Sequence, residues 1–117
     1  EKEKMHELSI VLSIVERVEE EVVKQAAETV KRIEIDIGNL AGIEMDSFDF
    51  AWEPAIKNTV LQDAVRVINH IPAIATCIEC NHEFEKDEPY SSCPKCGNFL
   101  HALKSGKELK IKSLLIA

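Results

Sequence analysis

Cys77-Ile78-Glu79-Cys80 and Cys93-Pro94-Lys95-Cys96-Gly97 hold all four cysteines of the chain, as two C-x-x-C pairs with twelve residues between them. Each pair can turn two thiolates towards one point. Two facing turns then offer four sulfurs to one tetrahedral ion. Zinc suits that set best, and a closed four-sulfur site stabilises a fold rather than catalysing. A rubredoxin-like iron site uses the same ligands and also favours C-P-x-C-G, so ligand softness alone does not separate the two metals. A redox dithiol usually needs one such pair beside a βαβ pattern, and two disulfides suit a secreted chain with a signal peptide. Gly97 follows the second pair, where the backbone must bend sharply. The segment from Thr76 to about Leu100 is too short to bury a core of its own, so a metal is expected to supply most of its folding energy.

On the C-terminal side, Ser105-Gly106 marks a turn, and Glu108 to Ile116 reads as a strand with Leu109, Ile111 and Leu115 on one face. On the N-terminal side, Val65 to Ile71 alternates as a strand that Pro72 ends. In Val30 to Gly38, Ile33, Ile35 and Ile37 alternate with Glu34 and Asp36, which predicts a strand with a buried face and a wet acidic face. Between these strands Asp46-Ser47 offers a helix cap before an apolar stripe of Phe48, Ala51, Trp52, Ala55 and Ile56. Phe48 and Trp52 are expected to anchor the core. Leu8 to about Glu28 reads as a long amphipathic helix, with Leu8, Val11, Leu12, Val15, Val18, Val22 and Ala26 as its stripe.

The order helix, strand, helix, strand, knuckles, strand predicts an α+β fold: a two-layer sandwich of two helices on a three-stranded sheet, with a four-cysteine zinc lobe inserted. Residues 5–74 and 104–117 form the first domain in this reading and residues 75–103 the zinc domain. Residues 1–4 (Glu-Lys-Glu-Lys) are read as a non-native or disordered extension, a frayed start or added helix, and set apart from the fold. The connections at 73–75 and 102–106 are expected to be loosely ordered, so that the lobe pivots.

The chain has 117 residues, 45% of them hydrophobic, which is enough for one ordinary core, and no apolar run reaches the ~18 residues needed to cross a membrane. Cysteines used as metal knuckles point to a cytoplasmic compartment. The formal net charge is −7, and four thiolates on one divalent ion make it more negative still. The cysteine loop itself carries Glu79, Glu83, Glu85, Asp87 and Glu88 against Lys86 and Lys95. That balance disfavours binding to nucleic acid and suits metal cations or a basic protein partner. No nucleophile–base motif and no phosphate loop appears, so an enzyme is not expected.

The best candidate for a second site is Met5-His6-Glu7, just ahead of the long helix, although a lone surface histidine near a terminus more often has no such role. A chain starting at Met5 can wrap its amine, the next backbone amides and the His6 imidazole around one ion in a plane, and nitrogen-rich tetragonal geometry suits nickel or copper. Glu7 adds a carboxylate, either as a ligand or to orient His6. His70 and His101 have no spacing that ties them to either site and are read as structural or exposed.

Met5-His6-Glu7-Leu8-Ser9, Ile37-Gly38, Phe48, the two cysteine pairs and Gly106-x-Glu108-Leu109, in that order, resemble the HypA/HybF family of hydrogenase-maturation nickel metallochaperones. The resemblance covers Met5 to Ala117. It implies Zn(II) on Cys77, Cys80, Cys93 and Cys96. It also implies Ni(II) as transferable cargo at His6 and Glu7, with Met5 through its backbone or amine and Glu44 from the loop after the first strand. It further implies a nickel GTPase, HypB, as partner, delivery to the large-subunit precursor of nickel–iron hydrogenase, and urease accessory proteins as other partners. Two departures stand out. Residues 1–4 precede Met5, which makes its amine an amide in this chain. Some relatives carry a histidine two residues after each cysteine pair, where this chain has His82 and Asn98. The competing expectations are a zinc-ribbon adaptor for protein partners and a rubredoxin-like electron carrier. Exposed sheet edges leave a homodimer open.

Overall fold

A computed structural model describes residues 2–117, with side chains from His6 onward; the side chain of Met5 and residue 1 lie outside the described residues. Eight elements follow one another: α1 (Lys2–Lys24), β1 (Val30–Gly38), α2 (Met45–Ile56), β2 (Val65–Ile71), β3 (Ala73–Cys77), β4 (Glu83–Lys86), β5 (His101–Ser105) and β6 (Leu109–Ile116). β2, β1 and β6 make one three-stranded sheet in that order, and β4, β3 and β5 make a second. The α+β class and the three long strands are therefore as expected. The second sheet is not, because the cysteine spacing predicts only the two knuckles.

The chain divides into two compact units. Among the described residues one comprises 2–35, 43–67 and 111–117, and the other 36–42 and 68–110. In the first, α1 packs against α2. Its buried stripe is Glu7, Val11, Ile14, Val15, Val18 and Val22, while Leu8 and Leu12 are 39% and 49% exposed. The stripe expected from sequence was thus rotated. With about 3.6 residues per turn, Leu12 sits about 100° round from Val11, off the face that Val11, Val15, Val18 and Val22 share.

α1 begins at Lys2 rather than Leu8, so that His6 and Glu7 lie within it, and it stops at Lys24 rather than near Glu28. Ala26 takes φ +53°, Ala26 N–H donates to Val23 O at 3.0 Å, and Ala27 N–H donates to Val22 O at 2.9 Å. That is a Schellman cap with alanine where glycine is usual. Glu28 then hydrogen-bonds to the carbonyl of Ala117.

α2 starts earlier than Asp46-Ser47 suggests, with its cap two residues before Asp46. Glu44 is its N-cap, accepting from the amides of Asp46 at 3.1 Å and Ser47 at 2.8 Å. Phe48 is fully buried, Trp52 nearly so, and their rings stack at 5.9 Å. Arg66 lies over both rings, 5.1 Å from the Trp52 centroid, with Nη2 on Asp49 Oδ1 at 2.8 Å. In β1, Ile33, Ile35 and Ile37 are buried as the alternation predicts. The acidic positions are not simply wet. Asp36 is buried and accepts from Asn69 Nδ2 at 2.9 Å, and Glu34 accepts from Ser113 Oγ at 3.1 Å.

In the second unit β3 is central and antiparallel to both neighbours, pairing Ala73 with Lys86, Thr76 with Glu83, and Cys77 with His101. Residues 73–75 and 102–105 are therefore paired strand, not the loose connections expected. Next to them Gly38 and Gly106 meet backbone to backbone: a Cβ on Gly38 would fall 2.1 Å from Gly106 O. Around this contact Gly38 N–H donates to Glu108 O, Leu40 N–H to Gly106 O, and Gly106 N–H to the Glu108 carboxylate, all at 2.7–2.8 Å. The Ile37-Gly38 and Gly106-x-Glu108 pairs seen in the sequence belong to this one junction.

Candidate metal centres

The four cysteines converge. Their sulfurs all lie within 4.8 Å of one another, with Cys77–Cys96 at 3.5 Å and Cys80–Cys93 at 3.7 Å. An ion about 2.3 Å from four tetrahedral thiolates sets sulfurs about 3.8 Å apart, so the set fits one tetrahedral ion. Disulfides need about 2.05 Å, and every cysteine is free, which removes the paired-disulfide reading.

The two pairs are held by the same turn, used twice. Asn81 N–H donates to Cys77 O at 3.0 Å, as Gly97 N–H does to Cys93 O at 2.8 Å. Cys77 N–H donates to His82 O, and Cys93 N–H to Asn98 O, both at 2.9 Å. The fifth residue of each turn has positive φ, +61° at Asn81 and +78° at Gly97. Each turn thus brings its two sulfurs to the shared cluster, and in the second the amides of Lys95 and Cys96 reach the Cys93 sulfur.

Electrostatics follow from this crowding. Burial pushes the Cys93 thiol up, but the amides of Cys96 and Lys95 and the thiols of Cys80 and Cys96 outweigh it and bring it down to about 7. At Cys96 the Asn98 amide works downward, yet the bond to Cys77, burial, and the thiols of Cys80 and Cys93 push it up to about 12. Cys93 and Cys96 are thus driven in opposite directions, and a divalent cation is what lets clustered thiols ionise together.

Behind the sulfurs lies a small core of Ala75, Cys77, Phe84 and Cys93, with Cys80 and Leu103 against it. Phe84 stacks on His82 at 6.3 Å and takes the edge of His101 at 5.8 Å. His82 thus flanks this core as a partly buried ring. His101 is structural: its Nε2 meets the buried Nζ of Lys86, which also donates to Pro89 O at 2.7 Å. His70 is exposed.

The second expected site assembles from α1 and the start of α2. The His6 side chain is 59% exposed, and its Nδ1 lies 3.6 Å from Glu7 Oε2. Glu7 is 1% exposed, and Oε2 accepts from the backbone amide of Glu44 at 2.8 Å. Its other oxygen, Oε1, is buried with no hydrogen-bond partner. Glu44 follows at once, but its carboxylate is engaged. Besides the two amides of α2 it accepts from Ser47 Oγ at 2.7 Å. The Ser47 hydroxyl first, then the Ser47 amide, hold it below the usual carboxylate value. His6, Glu7 and Glu44 are thus together. Ser47, which the sequence offers only as part of a helix cap, joins them by donating from its amide and hydroxyl to the Glu44 carboxylate.

Comparisons with known proteins bear on the chain as a whole. A family model described as HypA, a hydrogenase/urease nickel-incorporation metallochaperone, matches residues 5–116. The hydrogenase maturation factor HypA of Parabacteroides distasonis is 40% identical over 112 residues, covering 96% of this chain and 97% of that protein. That of Francisella philomiragia is 39% identical over 115 residues, covering 95% and 98%. The solution structure of the Ni metallochaperone HypA from Helicobacter pylori has a similar fold, with a TM-score of 0.65 at 27% identity over 94% of this chain and 96% of that one. The chain therefore belongs to the HypA family of nickel-incorporation metallochaperones, and works in hydrogenase maturation rather than as an enzyme.

Proposed function

We propose that the chain binds Ni(II) at its His6 end and delivers it to the large-subunit precursor of nickel–iron hydrogenase, with the nickel GTPase HypB as working partner. Zn(II) is resident on Cys77, Cys80, Cys93 and Cys96 and is structural. Urease accessory proteins form a second set of partners, in line with the hydrogenase/urease scope of the matching family. The compartment is the cytoplasm, and the protein can pair as a homodimer. No helix among the described residues is long and apolar enough to cross a membrane.

Residues 5–74 and 104–117 carry the nickel function, and 75–103 the zinc function. His6 is the entry ligand, Met5 and Glu7 contribute backbone, and Glu7 and Glu44 supply the carboxylates beside it. The observation that carries the reading is an exposed imidazole next to a buried carboxylate in the second turn of α1. Few ligands around an exposed imidazole give an exchangeable site, as delivery requires. The closed four-sulfur cage cannot serve, because all of its ligands are committed.

The test is calorimetric titration of zinc-loaded protein with Ni(II), comparing the parent chain with His6→Ala. Saturable binding by the parent and at least a tenfold loss in the variant, with zinc content unchanged, is expected. Equal binding by both would overturn the reading.

A further inference from the structure

Three large apolar side chains stand out of the four-cysteine lobe. Ile78, Phe99 and Leu100 are 60%, 67% and 62% exposed. Single exposed apolar residues are ordinary, but contiguous ones mark an interaction face. These are contiguous. Ile78 N–H donates to Leu100 O at 3.1 Å, which sets the tip of the first cysteine turn beside the segment that leaves the second. Pro94 holds the place in the second turn that Ile78 holds in the first, and it is exposed as well.

The backbone keeps these residues outside the lobe's own core. Asn98 is bound twice: its carbonyl accepts from Cys93 N–H at 2.9 Å, and its side-chain oxygen accepts from Leu100 N–H at 2.8 Å. His101 then pairs with Cys77 as β5 begins. Phe99 and Leu100 are thus held from both sides, while the core closes over Ala75, Cys77, Phe84 and Cys93 without them. A face that is fixed before it binds loses little freedom on binding.

Charge decides what covers it. Among residues 77–100, Glu79, Glu83, Glu85, Asp87 and Glu88 are exposed. Lys95 is the one exposed cation there, because Lys86 is buried against Pro89 O and His101. Four thiolates on a divalent ion add further negative charge. A second copy of the chain would bring two acidic lobes face to face, and nucleic acid or an anionic lipid surface carries the same sign. A basic segment with apolar anchors complements both the patch and the field around it.

We infer that Ile78, Phe99 and Leu100 form a docking face for a basic amphipathic segment of a protein partner. Apolar side chains of that segment cover the three residues, and its lysines or arginines answer the carboxylates of the lobe. The inference concerns the four-cysteine lobe and stands apart from the nickel reading of His6. It gives the lobe a task beyond holding its own fold.

The test uses zinc-loaded, nitrogen-15-labelled full-length protein, titrated with a short amphipathic leucine–lysine peptide. A leucine–glutamate peptide and polylysine serve as controls, and amide shifts locate the binding. Shifts centred on Ile78, Phe99 and Leu100 are expected, with affinity roughly tenfold or more weaker in Ile78→Ser and in Phe99→Ser. Both side chains are exposed, so zinc content and thermal unfolding should not change. Shifts centred instead on the acidic face of α1, at Glu16, Glu19 and Glu20, would overturn the inference. So would variants that bind as the parent does, polylysine or the leucine–glutamate peptide binding as tightly as the leucine–lysine one, or no binding at about 1 mM peptide. Concentration-dependent broadening at Ile78, Phe99 and Leu100 without any peptide would make a second copy the occupant, and would overturn it too.

Discussion

Asn81 and Gly97 occupy the same place in two like turns, each four residues after the first cysteine of its pair and each in the left-handed region, at φ +61° and +78°. The turn, not the metal alone, therefore determines where the sulfurs point. A β-carbon on Gly97 would meet nothing within 4 Å, so its replacement costs backbone strain and not a clash. Gly97→Ala should destabilise the four-sulfur lobe by about 1–2 kcal/mol and Asn81→Gly should not. Faster metal loss to a chelator in the alanine variant alone would show this. Equal rates in both would mean that the ion imposes the turn by itself.

Metal removal is expected to act locally. Two of the four buried members of the lobe's small core, Cys77 and Cys93, are sulfur donors. Chelation, or Cys77→Ser, should abolish metal retention and unfold β3, β4 and β5 while α1 and α2 keep their helical signal. Binding energies of structural zinc sites run to about 10 kcal/mol or more, which this core cannot replace. One full equivalent of zinc retained by Cys77→Ser would contradict this assignment.

Much of this was legible because spacing is a strong constraint. Two C-x-x-C pairs admit few geometries, and the alternation of Ile33, Ile35 and Ile37 fixes a strand. The stripe of α1 was harder. Three- and four-residue spacing fits two neighbouring faces, and only packing against α2 decides for Ile14 over Leu12. The strands β3 to β5 could not be read. Glu83-Phe84-Glu85-Lys86 holds one apolar residue, and Lys86 is buried against the usual rule because Pro89 O and His101 satisfy its amine. At the nickel end His6 and Glu7 were legible as chemistry, but the burial of Glu7 was not: it depends on α2 closing over it.

Gly38→Ala should be among the most harmful single-methyl additions in the molecule. The new carbon would lie 2.1–2.6 Å from Gly106 O, Gly106 C and Lys107 N, all backbone atoms that cannot rotate away. A loss of about 3 kcal/mol is expected, at the upper end for overpacking. Chemical denaturation would measure it, and a change below about 1 kcal/mol would show that this junction can shift.

The cap of α2 gives a pH signature. The Glu44 carboxyl lies below its ordinary value of 4.5, chiefly through the Ser47 hydroxyl and amide. A carboxyl lowered in the folded state contributes stability that is fully present above the ordinary value and is lost as pH falls through the lowered one. Glu44→Gln should therefore be less stable than the parent at neutral pH and approach it in acid. Parallel thermal unfolding profiles across the carboxylate range would refute this.

Ala26 offers the converse case, a strain that can be relieved. It closes the Schellman cap of α1 at φ +53°, where an alanine methyl is unfavourable and glycine is free. Ala26→Gly removes that strain but adds freedom to the unfolded chain, a counter-term of about 0.4–1 kcal/mol. Strain of about 1–2 kcal/mol at such a site is the larger of the two. Net stabilisation of up to about 1 kcal/mol is expected, read as a rise of a few degrees in Tm. Nickel and zinc binding should be unchanged, since the cap lies at the opposite end of α1 from His6. A lowered Tm would show that the unfolded-chain entropy wins, and that the strain at Ala26 is smaller than its φ suggests.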